Sequence, residues 1–290
     1  MRALVLLAGI VLAGCSQTSS RYVVGGAYRM GGVWSYPRED FSLVETGLAV
    51  RQAGPGWNAT TANGETWSGS RALAAHRTLQ LPAVVTVTNL GNGRSLTLRV
   101  NDRGPAHPGR VIGLSDRAAD LLGVPAGGTA QVRVAVDGER SRAVADAAPG
   151  GREALHVAIE TAPRAAVSAE SLAPPPGARG TSEARPVAAG TAAAAAPETQ
   201  RARDVPLPET VTQGPPQPGR LYVELATLSR PEAAQLLVAR VPGARIETIG
   251  PRRDRQYRVR LGPFPDVTGA DRALERTLAA GVSGARILVD

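Results

Sequence analysis

Lysine is absent from this chain of 290 residues, and all 33 of its basic side chains are arginine. A need for positive charge alone would not exclude lysine, so the bias reads as genome composition. The formal charge of +8 suits anionic partners, nucleic acid included, or it is solvated surface. There is one cysteine, Cys15, so no disulfide can form within the chain. Aromatic residues make up 3% of the sequence, with none between Trp67 and Tyr222. No cofactor and no metal ion is expected from any motif.

The N-terminus reads as an export signal. Arg2 supplies the positive charge, and Leu4 to Leu12 form an apolar run far shorter than the ~20 residues that span a bilayer. The run closes on Leu12-Ala13-Gly14-Cys15, a lipobox, which makes Cys15 the expected lipidation site and residues 1–14 the signal peptide. Several acyl chains, at about 0.8 kcal/mol per buried CH₂, hold a protein stably on a membrane. Ser16 after the cysteine fits sorting to the outer membrane. Export excludes nucleic acid as partner and leaves envelope phosphates and cell-wall carboxylates.

From residue 138 to 217 the chain is rich in Ala, Pro, Gly, Arg and Glu, with Pro174-Pro175-Pro176 and Ala192 to Ala196 as landmarks. Such composition buries too little apolar surface to offset ordering entropy, so a disordered linker is expected, with a transient element at Leu155 to Ile159. About 80 residues at 5–6 Å × √n would reach roughly 45–55 Å. The linker divides an N-terminal extension (15–43) and a first domain (44–137) from a second domain (218–290).

The first domain is mostly β. Val84 to Thr88 is β-branched throughout, and Leu96, Leu98 and Val100 alternate with Thr97 and Arg99. Asn92-Gly93 between the two runs is a hairpin turn. Ser115 caps a helix to Leu122 that Gly123 ends, and Thr129 to Val136 gives a last strand. Short strands with few helices suit a six-stranded barrel. The second domain reads β-α-β-β-α-β, a split βαβ, with strands at Leu221–Leu228, Arg245–Ile249, Gln256–Leu261 and Ala285–Val289. Its helices are a first one opened by a Ser229/Glu232 capping box and a second at Ala270–Ala279.

These patterns carry a family likeness. Tyr22-Val23-Val24-Gly25, Trp34-Ser35-Tyr36-Pro37, Glu45-Thr46-Gly47-Leu48-Ala49, Thr61-Ala62-Asn63-Gly64-Glu65 and Asn101-Asp102-Arg103-Gly104-Pro105 resemble the double-psi β-barrel of the rare lipoprotein A (RlpA) family. Leu221 to Leu225 and Tyr257 to Phe264 resemble a ferredoxin-like SPOR domain. The resemblance implies a lytic transglycosylase that cleaves peptidoglycan strands lacking stem peptides and is recruited by its SPOR domain to the septum, on the periplasmic face of the envelope.

Lytic cleavage needs a proton donor to the glycosidic oxygen, after which the muramic C6 hydroxyl closes a 1,6-anhydro ring. One carboxyl can serve as acid and then base, unlike the paired carboxylates of hydrolases. The resemblance puts Asp102, Glu65 and His76 in the catalytic set. Asp102 is the first choice of acid and requires a raised pKa, while Glu65 would share the proton or orient the muramic ring. His76 would relay protons or hydrogen-bond a carboxylate. Trp67, Asn63 and Arg103 are substrate-binding candidates in the barrel, with Trp67 offering a face to a sugar. Tyr222, Glu224, Arg258 and Arg260 are the candidates on the SPOR sheet, where a glutamate at 224 in place of the usual Gln adds a charge opposed to muramyl carboxylates.

Each residue also has a plain structural role open to it: Asp102 bonding its own turn, Glu65 in solvent, His76 half-buried, Trp67 in the core, and the SPOR side chains merely solvating a sheet. The chain departs from the family at Val50-Arg51-Gln52-Ala53, where Ser-Trp-Tyr-Gly is usual. It also departs at Ser68 and Gly113, which stand where acids are usual. These departures leave open a non-catalytic lipoprotein that tethers the outer membrane to septal peptidoglycan, or a recruiter of divisome proteins.

Overall fold

A computed structural model of the chain describes residues 20–54, 59–149 and 207–290. Cys15, the signal sequence and the Leu155–Ile159 element lie outside the described residues. A small hairpin, β1 (Tyr28–Met30) and β2 (Val33–Ser35), precedes the barrel strands β3 (Val44–Arg51), β4 (Leu73–His76), β5 (Ala83–Asn89), β6 (Arg94–Asp102), β7 (Arg110–Leu114) and β8 (Thr129–Val136). They pair in the order β4-β7-β3-β8-β5-β6, and β6 meets β4 again to close the ring. β3–β7 and β4–β6 run parallel, the other contacts antiparallel. The closed double-psi barrel of six strands is the expected fold. Its interior is filled by Val85, Leu96, Leu98, Ile112, Leu114 and Val132 among others. α1 (Asp116–Leu122) closes one end, capped by the Ser115 hydroxyl and ended by Gly123 at φ 72°.

The expected linker is corrected at both ends. Residues 138–147 form a helix, α2, capped by Asp137. It docks because the Ser141 hydroxyl bonds both backbone groups of Val84 at 2.9 and 3.0 Å, and Ala145 and Ala148 pack under Tyr22. Val211–Gln213 form β9, which adds to the free first half of β6.

The second domain has β10 (Leu221–Leu228), α3 (Pro231–Arg240), β11 (Arg245–Ile249), β12 (Gln256–Phe264), α4 (Val267–Ala279) and β13 (Arg286–Val289), in sheet order β11-β12-β10-β13. This is the split βαβ expected. The capping box is not formed: α3 begins after Arg230 with Pro231 in its first turn and no side-chain cap. Proline needs no cap for its missing N–H, and its position puts Ser229 one residue too early.

The two domains pack on each other. Arg110 on β7 makes a bidentate pair with Asp271 on α4 at 2.6 and 2.8 Å. Leu48 and Leu90 of the barrel join the core of the second domain. The Thr46 hydroxyl takes up both backbone groups of Val289, so the β13 edge is covered rather than left as a template for pairing.

Candidate active site

Asp102 ends β6 beside a β-bulge. Ala74 on β4 pairs with Val100, but Ala75 pairs with Asp102, which leaves Asn101 as the extra residue. Bulges re-aim side chains, and here the bulge moves Asp102 into the row of Ala75, whose other neighbour is Gly113 on β7. Residues opposed across strands share a face. The adjoining row, Val100, Ala74 and Leu114, points into the barrel core, so the Asp102 row lies outside, on a floor of Ala75 and Gly113.

The half-buried Asp102 accepts the Ala62 N–H at 2.9 Å. Burial raises its carboxyl above the usual range, against the lowering pull of the Ala62 and Arg103 N–H groups and the Arg103 charge. That charge is partly spent elsewhere, since the Arg103 guanidinium donates to the carbonyls of Leu79 and Val24 and lies 6.0 Å from the Tyr28 ring centre. Arg103 is therefore a brace for the groove wall, not the free substrate ligand expected. Tyr28 donates to the Arg77 carbonyl at 2.9 Å, and burial raises its phenol.

Glu65 has the opposite character. Burial would raise it, but Arg99 lowers it below its ordinary value with contacts of 2.6 and 3.1 Å, helped by Asn63 at 2.8 Å and Asn101 at 3.0 Å. The Ser20 hydroxyl donates to it as well. Glu65 thus stays ionised, which corrects its expected share in the proton. It fixes the Thr61–Glu65 turn, where the Thr61 N–H donates to the Glu65 carbonyl at 2.8 Å, and that turn supplies the Ala62 N–H to Asp102. Asn63 is fully buried within this turn, so it supports the site and does not face a ligand.

His76 does not join Asp102 or Glu65. Its Nδ1 accepts the N–H groups of Thr78 and Leu79 at 3.2 and 3.1 Å, which fixes the proton on Nε2, 2.6 Å from Glu45. It bonds a carboxylate, as one expectation had it, but one reached from β3. Burial would raise Glu45, yet the His76 hydrogen bond and the charges of Arg286 and Arg38 lower it. Trp67 is 4% exposed, packed on Leu73 and Ala75, so it forms the groove wall instead of an open sugar platform. The Ser68 hydroxyl meets that of Ser70 at 2.8 Å. No group of three potential metal-ligating side chains occurs among the described residues.

On the second domain Tyr222, Glu224, Arg258 and Arg260 share the sheet face away from the helices. Arg260 stacks on Tyr222, 4.1 Å from the ring centre, and pairs with Asp290 and Glu247. Glu224 is 7% exposed beneath Arg258 and Arg286, at 3.5 and 3.1 Å. Its charge is compensated, so it does not repel carboxylates as expected; it orders the arginines. A cleft of about 390 Å³ lined by Gln131, Arg220 and Phe264 lies between the domains and away from Asp102.

Sequence comparison fits this architecture. Residues 51–134 match the family model described as lytic transglycolase, and residues 217–287 match that of the SPOR domain. An endolytic peptidoglycan transglycosylase RlpA of Pseudomonas aeruginosa is 35% identical over 226 residues, covering 70% of this chain and 58% of that protein. The namesake of Rickettsia bellii is 40% identical over 116 residues, 39% of this chain and 51% of its own length. The chain belongs to the RlpA family. Its matches span little more than half the length of these relatives. The crystal structure of the RlpA SPOR domain from Pseudomonas aeruginosa aligns with 24% of this chain and 99% of its own, at 24% identity and a TM-score of 0.23.

Sequence reasoning did not find Arg99, Asn101, Glu45, Tyr28 or Gln52. The alternation of Arg99 and Asn101 with Leu98 and Val100 was the one signal that an outward polar row follows the buried one.

Proposed function

We propose that this RlpA-family protein is an endolytic peptidoglycan lytic transglycosylase. The observation that carries the reading is the contrast between its two carboxyls: Asp102 is held toward the protonated form, while Glu65 is locked as an anion by Arg99. A hydrolase needs a second working carboxylate; a lytic enzyme does not. Asp102 gives its proton to the glycosidic oxygen as the C1–O bond breaks. It then takes the proton of the muramic C6 hydroxyl as that oxygen bonds C1, which returns the acid and leaves a 1,6-anhydro end. Incubation with glycan strands stripped of stem peptides is expected to yield 1,6-anhydromuramyl products by mass spectrometry; reducing ends formed with uptake of water would sink the mechanism.

The preferred substrate is glycan without stem peptides, because the SPOR face presents ordered arginines for sugar hydroxyls and lactyl carboxylates. Arg258→Ala is expected to cut retention on amidase-treated sacculi by roughly 10- to 100-fold, the scale of a hydrogen bond to a charged group. Full retention would remove this role. Recruitment to the septum, with possible divisome partners, follows from the same face. The lipobox supports a lipid anchor at Cys15 in the outer membrane, facing the periplasm, and the mass of the mature N-terminus reads it directly. No described helix is long and apolar enough to cross a membrane.

A second reading, a non-catalytic tether to peptidoglycan, is favoured by Ser68 and Gly113, which carry no acid where the family usually does. It predicts sacculus binding with no anhydro product.

A further inference from the structure

One part of the groove has no role in that mechanism. Gln52 leaves the end of β3, its N–H fixed to the Leu114 carbonyl at 2.8 Å, and lays its side chain across two glycines. A Cβ added at Gly113 would lie 2.1 Å from Gln52 Oε1, and one at Gly104 would lie 2.4 Å from it. Gly104 is two residues past Asp102, and Gly113 shares the Asp102–Ala75 row, so the carboxamide lies roughly two strand spacings, about 10 Å, along that row from the acid. Oε1 is shut from solvent with no hydrogen-bond donor among the described residues.

A second orphan lies close by. Trp67, 96% buried by its 4% exposure, packs on Ala75 and on Gly54, two residues from Gln52. Its indole N–H also has no acceptor among the described residues. Buried polar atoms in folded proteins are nearly always paired, and here one acceptor and one donor remain unpaired beside the same small-residue floor. An acetamido group carries one N–H and one C=O. Gln52, the half-buried and flexible member of the pair, can swing about its side-chain bonds to let such a group enter.

We propose that Gln52, with Trp67, is a specificity-determining pair that recognises the N-acetyl group of an amino sugar bound beside Asp102. The Gln52 carbonyl accepts the acetamido N–H, and the Trp67 indole N–H donates to the acetamido carbonyl. The proposal rests on the glycan-cleaving reading for its ligand class but on different atoms.

The full chain and its variants would be titrated with denuded glycan strands, either N-acetylated or chemically de-N-acetylated, and binding measured alongside turnover. The wild type is expected to prefer the acetylated strand by roughly tenfold, the worth of one to two hydrogen bonds. Gln52→Ala should bring that ratio close to one. Trp67→Phe, which keeps the ring and removes the N–H, should lower the ratio in the same sense. The SPOR sheet contributes equally to all three proteins, so the change between them reports the groove. A ratio unchanged in both variants overturns the proposal. Binding preference without any turnover would sink the enzymatic reading and leave this pair standing; turnover without preference would do the reverse.

Discussion

Asp102→Asn is expected to lower formation of 1,6-anhydromuramyl ends by about 10²- to 10⁴-fold, the range of a lost general acid, in a protein that still folds and still binds glycan. Asparagine keeps an oxygen for the Ala62 N–H that now meets Asp102 Oδ1 at 2.9 Å, so the turn and the groove floor stay in place. What goes is the proton. The wild-type pH profile should show the same group. Only the protonated carboxyl can start the reaction, so kcat/KM should fall as pH rises through the Asp102 pKa. Burial puts that limb above the ordinary aspartate value of about 3.9. If Asp102→Asn cleaved at the wild-type rate, the acid would have to be another group, and Glu65, held as an anion, is poorly placed to be it.

Arg99→Leu should destabilise the barrel by about 3 kcal/mol near neutral pH, the low end of the cost of breaking a buried ion pair from one side. The side chains of Arg99 and Glu65 are only 12% and 5% exposed, and the substitution strands the Glu65 carboxylate with Ser20, Asn63 and Asn101 as its remaining donors. Urea unfolding at a series of pH values would measure it. The folded pKa of Glu65 is depressed, so the stabilisation from the clamp is present above the unfolded value of about 4.3 and is lost as pH falls through the lower folded value. The gap between wild type and Arg99→Leu should therefore narrow on acidification, because the stranded carboxyl can then take up a proton. A gap that is constant with pH would mean that Arg99 acts by packing alone. Because the clamp also fixes the turn that carries the Ala62 N–H, Arg99→Leu should weaken catalysis without touching substrate.

The elements with strong local chemistry were legible in the sequence. Asn92-Gly93 lies between β5 and β6, Ser115 and Gly123 bound α1, and the second domain follows its β-α-β-β-α-β pattern. Long-range pairings were not. Glu65 and Arg99 are 34 residues apart and His76 and Glu45 are 31 apart, and nothing local assigns such partners. The bulge at Asn101 decides which residue of β6 enters the groove, yet it leaves no mark in hydrophobic periodicity. α2 was hidden because it buries little but Ser141 and Ala145, too small a stripe to stand out from the Ala- and Arg-rich composition around it. Trp67 has the residue type of a sugar platform but is covered by its own neighbours, which composition cannot reveal.

The return of β9 to β6 changes what the Ala/Pro-rich segment can do. The chain leaves the barrel from α2 and comes back to it at Val211, so both ends of that segment are anchored on the same body and its length does not set the distance between domains. The stretch from β9 to the second sheet, residues 214–220, is itself tied down: the Gly214 and Gln217 N–H groups donate to the Gly93 and Leu90 carbonyls at 2.8 and 2.7 Å, and the Gly219 N–H donates to the Gln131 side chain at 3.0 Å. On the glycan-cleaving reading proposed above, groove and sheet work as the two jaws of a caliper. A strand gripped by one is offered to the other at a set offset, and cuts should fall at a preferred number of sugars from the held site, not at random along the glycan.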